Sequence, residues 1–132
     1  MRVRHKVNVV VSEDKNGQNK LFAPDDTLAE VIADGFTEVS SGTVGIPALG
    51  SFTIPLGGLA DARGLFVKVT GDATLAINGA APTVLKRGST GAAGAVGATA
   101  RVFMEAAVSS AVVTAGASAV TLTYVLWGDP LP

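Results

Sequence analysis

Cysteine is absent from this 132-residue chain, which removes a disulfide scaffold, a thiol nucleophile and a thiolate metal site together. Histidine occurs once, at His5, so a histidine-rich metal centre is excluded and a Ser-His-Asp triad has a single candidate base. Charge is scarce as well: Asp, Glu, Lys and Arg make up 16% of the chain, against roughly 25% in an average soluble domain. Aromatics amount to 5%, five Phe with one Tyr and one Trp. No apolar run reaches the roughly 18 residues of a membrane-spanning helix without a Gly or polar interruption, so no membrane span is expected. The opening Met1, Arg2, Val3, Arg4, His5 and Lys6 leads into an alternation and not into the plain apolar run of a secretion signal. Synthesis as a soluble cytoplasmic protein is the expectation.

Small residues fill the space that charge leaves. Hydrophobic residues reach 48%, and 16 glycines accompany many Ala, Ser and Thr. A surface built this way is often one that another subunit covers. The formal net charge of −1 provides no basic field to draw in nucleic acid, and no nucleic-acid partner is expected. The charges are unevenly placed. Seven of eleven carboxylates (Glu13, Asp14, Asp25, Asp26, Glu30, Asp34, Glu38) and five of ten basic residues precede Val39. Only nine charges are spread over the remaining 94 residues, which makes that part the better home for contacted surface. The length suits one domain, 1–132, with one core.

The clearest pattern lies at 64–85. Leu65, Val67 and Val69 share one face while Phe66, Lys68 and Thr70 share the other. Thr70, Gly71 and Asp72 supply turn chemistry, then Leu75 and Ile77 alternate with Thr74 and Ala76. Asn78-Gly79 follows, the dipeptide best suited to a tight turn. This predicts a β-hairpin with arms on either side of Gly71, followed by a third strand. Upstream, Val3, His5, Val7, Val9 and Val11 alternate as a strand, and 12–20 is a solvated loop or hairpin tip around Asn16-Gly17. Residues 25–35 suit either a short capped helix or a strand, with strand or irregular structure preferred. Further strands are predicted at 36–44, 51–56, 83–87, 100–104, 108–114 and 118–127. Pro55 marks an edge or a strand end. In the last strand Val120, Leu122, Tyr124 and Leu126 oppose Thr121, Thr123, Val125 and Trp127. About eight short strands without a convincing long helix give an all-β, antiparallel β-sandwich, with a jelly roll as its winding. A closed barrel is the alternative.

Signals for chemistry are weak. His5 is in phase with Val3, Val7 and Val9, the placement of a packed or interface side chain; beside a carboxylate it would make a pH-sensitive contact. Asp25 and Asp26, with Glu30 and Asp34, offer oxygens, but the spacing of a calcium loop is missing, and a solvated acidic loop explains them. No pair among the acids is singled out as glycosidase carboxylates. The Gly- and Ala-rich segment 88–98, with Gly91 and Gly94, lacks the Lys-Ser/Thr of a phosphate loop. It reads as a flexible loop that settles against a neighbour, or as a plain surface excursion. Lys86 and Arg87, with Arg101 and Lys68, form at most a local basic spot without interleaved aromatics. Trp127 and Tyr124 serve either to close the core or to anchor an interface.

From about Thr43 onward the chain resembles small β-sandwich proteins of tailed-bacteriophage virions. The resemblance rests on Ile54-Pro55-Leu56-Gly57-Gly58-Leu59, Leu65-Phe66-Val67-Lys68-Val69, Ala73-Thr74-Leu75-Ala76-Ile77-Asn78-Gly79, Thr83-Val84-Leu85-Lys86 and Val125-Leu126-Trp127-Gly128-Asp129. It covers about two thirds of the chain, and its motifs are structural. It implies a non-enzymatic virion protein, made in the bacterial cytoplasm and assembled as a homo-dimer or homo-trimer. Capsid cement or decoration proteins of this kind bridge subunits of the major capsid protein, and tail and baseplate proteins use similar sandwiches. No catalytic residue, metal or cofactor is implied. The expected contacts are the charge-poor strand faces with Arg2, Arg4, His5, Lys6, Lys86, Arg87, Gly91, Gly94 and Trp127. A carbohydrate-binding sandwich is the alternative from another class, although seven aromatics leave few for a sugar platform.

Overall fold

The computed structural model describes residues 4–7, 11–15, 18–23, 30–33, 38–86 and 99–132. These contain strands and connections with no helix, so none is long and apolar enough to cross a membrane. The chain divides into two compact units, Met1–Gly35 and Phe36–Pro132.

Among the described residues, the first unit holds two antiparallel pairs. Strand β1 (Arg4–Val7) lies against β4 (Glu30–Ala33), with Arg4 opposite Ala33 and Val7 opposite Glu30. Strand β2 (Val11–Lys15) pairs with β3 (Gln18–Ala23), with Lys15 opposite Gln18. The ladder runs through residues of 12–20 that composition alone assigns to a solvated loop, while Asn16 and Gly17 lie outside the described residues. Of the 25–35 stretch, the Val-Ile portion is strand, as β-branched side chains favour.

The described residues of the second unit form eight strands: β5 (Glu38–Ile46), β6 (Ser51–Thr53), β7 (Leu59–Val69), β8 (Ala73–Ile77), β9 (Thr83–Leu85), β10 (Ala100–Met104), β11 (Ala111–Ala115) and β12 (Val120–Pro130). They form two four-stranded antiparallel sheets, ordered β10-β7-β12-β5 and β6-β11-β8-β9. Each strand pairs with the one equally far from the midpoint of this segment: β5 with β12, β6 with β11, β7 with β10 and β8 with β9. The segment is thus a long hairpin of four nested pairs wound so that successive pairs fall in alternate sheets. The two sheets face each other across one core. Leu65, Val67, Val69, Leu122 and Leu126 come from one side, and Leu75, Leu85, Ala111 and Val113 from the other. Phe52 of β6 meets Tyr124 of β12 across the gap, ring centroids 5.9 Å apart. This is an antiparallel β-sandwich.

The hairpin predicted for 64–85 is corrected by this topology. Its alternation is right, since Leu65, Val67, Val69 and Leu75 are all buried. Its pairing is not, because β7 and β8 lie in different sheets. Residues 70–72 carry the chain from one sheet to the other, and the actual hairpin is β8–β9. Turn residues and a period of two show that a chain reverses, not whether the two arms bond to each other. Asn78 and Gly79 take φ of 55° and 74°, the left-handed pair that such a turn requires. The amide of Ala80 donates to the Ile77 carbonyl to close the turn, 3.0 Å.

Strand β7 carries two irregularities against β12, where Gly128 pairs with Ala62 and Pro130 with Leu59. Each adds one residue, so the inward positions Leu59, Ala62 and Leu65 are spaced by three before regular alternation resumes at Val67. Pro55 follows β6, an edge strand ending at Thr53, as its missing donor demands. Strand β12 continues past Trp127 into the segment that looks like a tail from sequence.

Candidate interaction face

The sheet β6-β11-β8-β9 contains no charged residue in any strand. Its outward positions follow from the ladder. Ser51, Thr114, Thr74 and Val84 form one cross-strand row, and Thr53, Val112 and Ala76 the next. Ser51 and Thr114 join hydroxyls at 2.7 Å, satisfying one another and lowering the demand of this face for water. The face is therefore short, hydroxyl- and methyl-bearing, and uncharged.

Charge is gathered elsewhere in the second unit. Arg63 bridges Asp61 at 2.9 Å and approaches Asp129 at 3.9 Å, at the end of the sandwich where β7 begins. Lys68 and Arg101 stand directly opposite each other on the outer face of the other sheet. Like charges in that register repel, so an anionic group docked over them would relieve the pair.

At the opposite end, three connections are laced by backbone bonds. The Leu49 amide donates to the Gly116 carbonyl at 2.9 Å, and the Gly116 amide donates to the Asp72 carbonyl at 3.0 Å. The Ala115 amide donates to Gly50 O at 2.8 Å, and Thr70 Oγ1 accepts from the Thr121 amide at 2.8 Å. Leu49 takes φ of 62°, a conformation that L side chains avoid, yet its side chain is 77% exposed. Beside it lie two shallow depressions that share Asp72. One, of about 170 Å³, is lined by Thr70, Gly71, Asp72, Ala117, Ser118 and Ala119. The other, of about 190 Å³ and almost wholly apolar, is bounded by Asp72, Ala73, Thr74, Val84, Thr114, Ala115 and Gly116. Neither gathers an acid, a base and a nucleophile. Among the described residues no group of three or more His, Asp or Glu converges as metal ligands would.

The residues singled out from sequence distribute as follows. Lys86 is exposed just beyond β9, at the laced end. Trp127 is 4% exposed on the outer face of the other sheet, tilted against Phe103 with ring centroids 5.9 Å apart. Its ring lies on Gly64, where a Cβ would fall inside the indole. Trp127 packs against Phe103 outside the core cluster, whereas Tyr124 is buried in the core. Lys86 and Trp127 thus belong to different sheets and do not converge. Arg4, His5 and Lys6 lie in β1, opposite Ala33, Ile32 and Val31. Arg2, Arg87, Gly91 and Gly94, with the whole 88–98 segment, fall outside the described residues. Pro47 and Gly50 mark a break in the strand pattern around Leu49, but nothing in the sequence shows that leucine itself takes the left-handed position of the turn they close.

Comparison with protein families, with curated proteins and with solved structures returns no match to this chain.

Proposed function

We propose that this protein is a non-enzymatic structural component of a bacteriophage virion, a cement or decoration subunit that stabilises the head by bridging subunits of the major capsid protein. The observation that carries the reading is the sheet β6-β11-β8-β9, whose strands hold no charge. Charged side chains are depleted at the centre of contact surfaces because each must be desolvated there. Nested strand pairing in two four-stranded sheets is the winding of a jelly roll, which supports that finer description of the sandwich. Each interface is small, and repetition by particle symmetry supplies the avidity.

A tail or baseplate subunit is the second reading, because an uncharged sheet suits either location. Pelleting of the purified protein with assembled heads and, separately, with tails decides between them. Co-sedimentation with heads, saturating at a fixed ratio of copies to capsid subunits, is the expected result. Co-sedimentation with tails alone moves the assignment to the tail, and recovery in the supernatant of both overturns the reading.

A further inference from the structure

The laced end of the sandwich carries a projection and a socket side by side. We infer that it is the self-association face of this protein, in which Leu49 of each copy enters the apolar depression of a second copy across a two-fold axis. The inference deepens the reading above, on which it rests for its purpose and not for its geometry.

Four observations converge. Leu49 is exposed and takes a left-handed φ in a turn closed by the bond from the Gly50 amide to Pro47, with its own amide bonded to Gly116, so its backbone is set before any partner arrives. Backbone strain of this kind persists only where the surroundings impose it, and a preset conformation lowers the ordering cost of binding. The depression of about 190 Å³ is almost wholly apolar, and Ala73, Thr74, Val84, Thr114 and Ala115 are among the residues that line it. A cavity of about 150 Å³ admits a benzene, so one isobutyl group fits. Gly116 both anchors the projection and lines the socket, which places the two within one patch. A patch holding both halves of a contact is self-complementary, and two copies related by a two-fold satisfy both at once. Finally, the rim bears one charge of each sign. Asp72 borders the socket, and Lys86 follows Leu85, which stands opposite Ala73. In the pair, Asp72 of each copy faces Lys86 of the other.

Sedimentation velocity on the full chain over a concentration series, with no particles present, tests this. The wild type is expected to dimerise. Leu49→Ser, which empties the socket, and Val84→Glu, which charges it, are each expected to weaken the dimer about 10-fold or more, as loss of a central anchor does. Both positions are exposed (77% and 61%), so circular dichroism melts serve as the check that the fold is kept. Asp72→Lys and Lys86→Asp are each expected to weaken association and, combined, to restore it. A wild type that stays monomeric at every concentration overturns the inference, as does an oligomer indifferent to all four substitutions. Because that result is obtained on the protein alone, it leaves the pelleting test of the virion reading standing.

Discussion

At the scale of single residues, the most informative side chains are the ones that break a local rule. Leu49 adopts a left-handed φ of 62° that glycine or asparagine would take at less cost. Leu49→Gly is expected to stabilise the fold by about 1 kcal/mol, the order of the left-handed penalty for an L residue, in urea unfolding. The same substitution removes the projecting side chain, so stability rises while self-association falls. A purely structural leucine would not separate those two readouts. Gly64 breaks a different rule, lying mid-strand where a side chain is normally useful. The indole of Trp127 occupies the space of its missing Cβ. Gly64→Ala is therefore expected to cost about 1–3 kcal/mol by forcing the ring aside, seen as a lowered Tm. The sequence shows Gly64 only as a boundary mark, because its partner is 63 positions away in the chain.

At the scale of elements, alternation is legible and partnership is not. The inward residues of β8, of β12 up to Leu126 and of β7 from Leu65 onward follow from a period of two, since exchanging faces would place Leu and Val in water. Which strand lies beside which depends on contacts between residues far apart, and no local pattern encodes that. The arms on either side of Gly71 accordingly look like a hairpin and belong to different sheets. The inward step of three at Leu59, Ala62 and Leu65 is hidden for the same reason, being defined only against β12.

Asn78 illustrates how an element is tied down. Its Oδ1 accepts from the Ser109 amide at 2.6 Å, from Ser109 Oγ at 2.9 Å and from the Ser110 amide at 3.3 Å. Its Nδ2 donates to the Ala107 carbonyl at 2.9 Å, which completes a staple from the β8–β9 turn to the approach of β11. Asn78→Gly keeps the backbone conformation and removes the staple, so its cost isolates those bonds at about 1–3 kcal/mol. Asn78→Ala adds the left-handed penalty and should cost more in the same unfolding assay. Hydrogen exchange gives the complementary view of the sheets. The central strands β7 and β12 are expected to exchange slowest, and the short edge strands β6 and β9 fastest. Comparable protection in β6 and β12 would contradict this ordering.

At the scale of the whole molecule, the feature that organises the account is the segregation of charge. The second unit places Asp61, Arg63 and Asp129 at one end and Lys68 with Arg101 on one sheet, leaving the strands of the other sheet neutral. Composition shows that charge is scarce; only the fold shows that one entire sheet lacks it. A contact through such a sheet owes little to long-range attraction, so its affinity should change little with added salt. Contact through Lys68 and Arg101 would weaken as salt rises, which separates the two surfaces experimentally.

The most direct measurement is pelleting of the protein with assembled phage heads, comparing wild type, Thr53→Glu and Thr121→Glu. Thr53 lies on the outer face of the neutral sheet, away from the depression, and Thr121 on the outer face of the other sheet, so each places the same new charge on a different surface. Wild type and Thr121→Glu are expected to sediment with the heads while Thr53→Glu stays in the supernatant. Equal binding by Thr53→Glu, or loss of binding by Thr121→Glu alone, would contradict the contact through the neutral sheet.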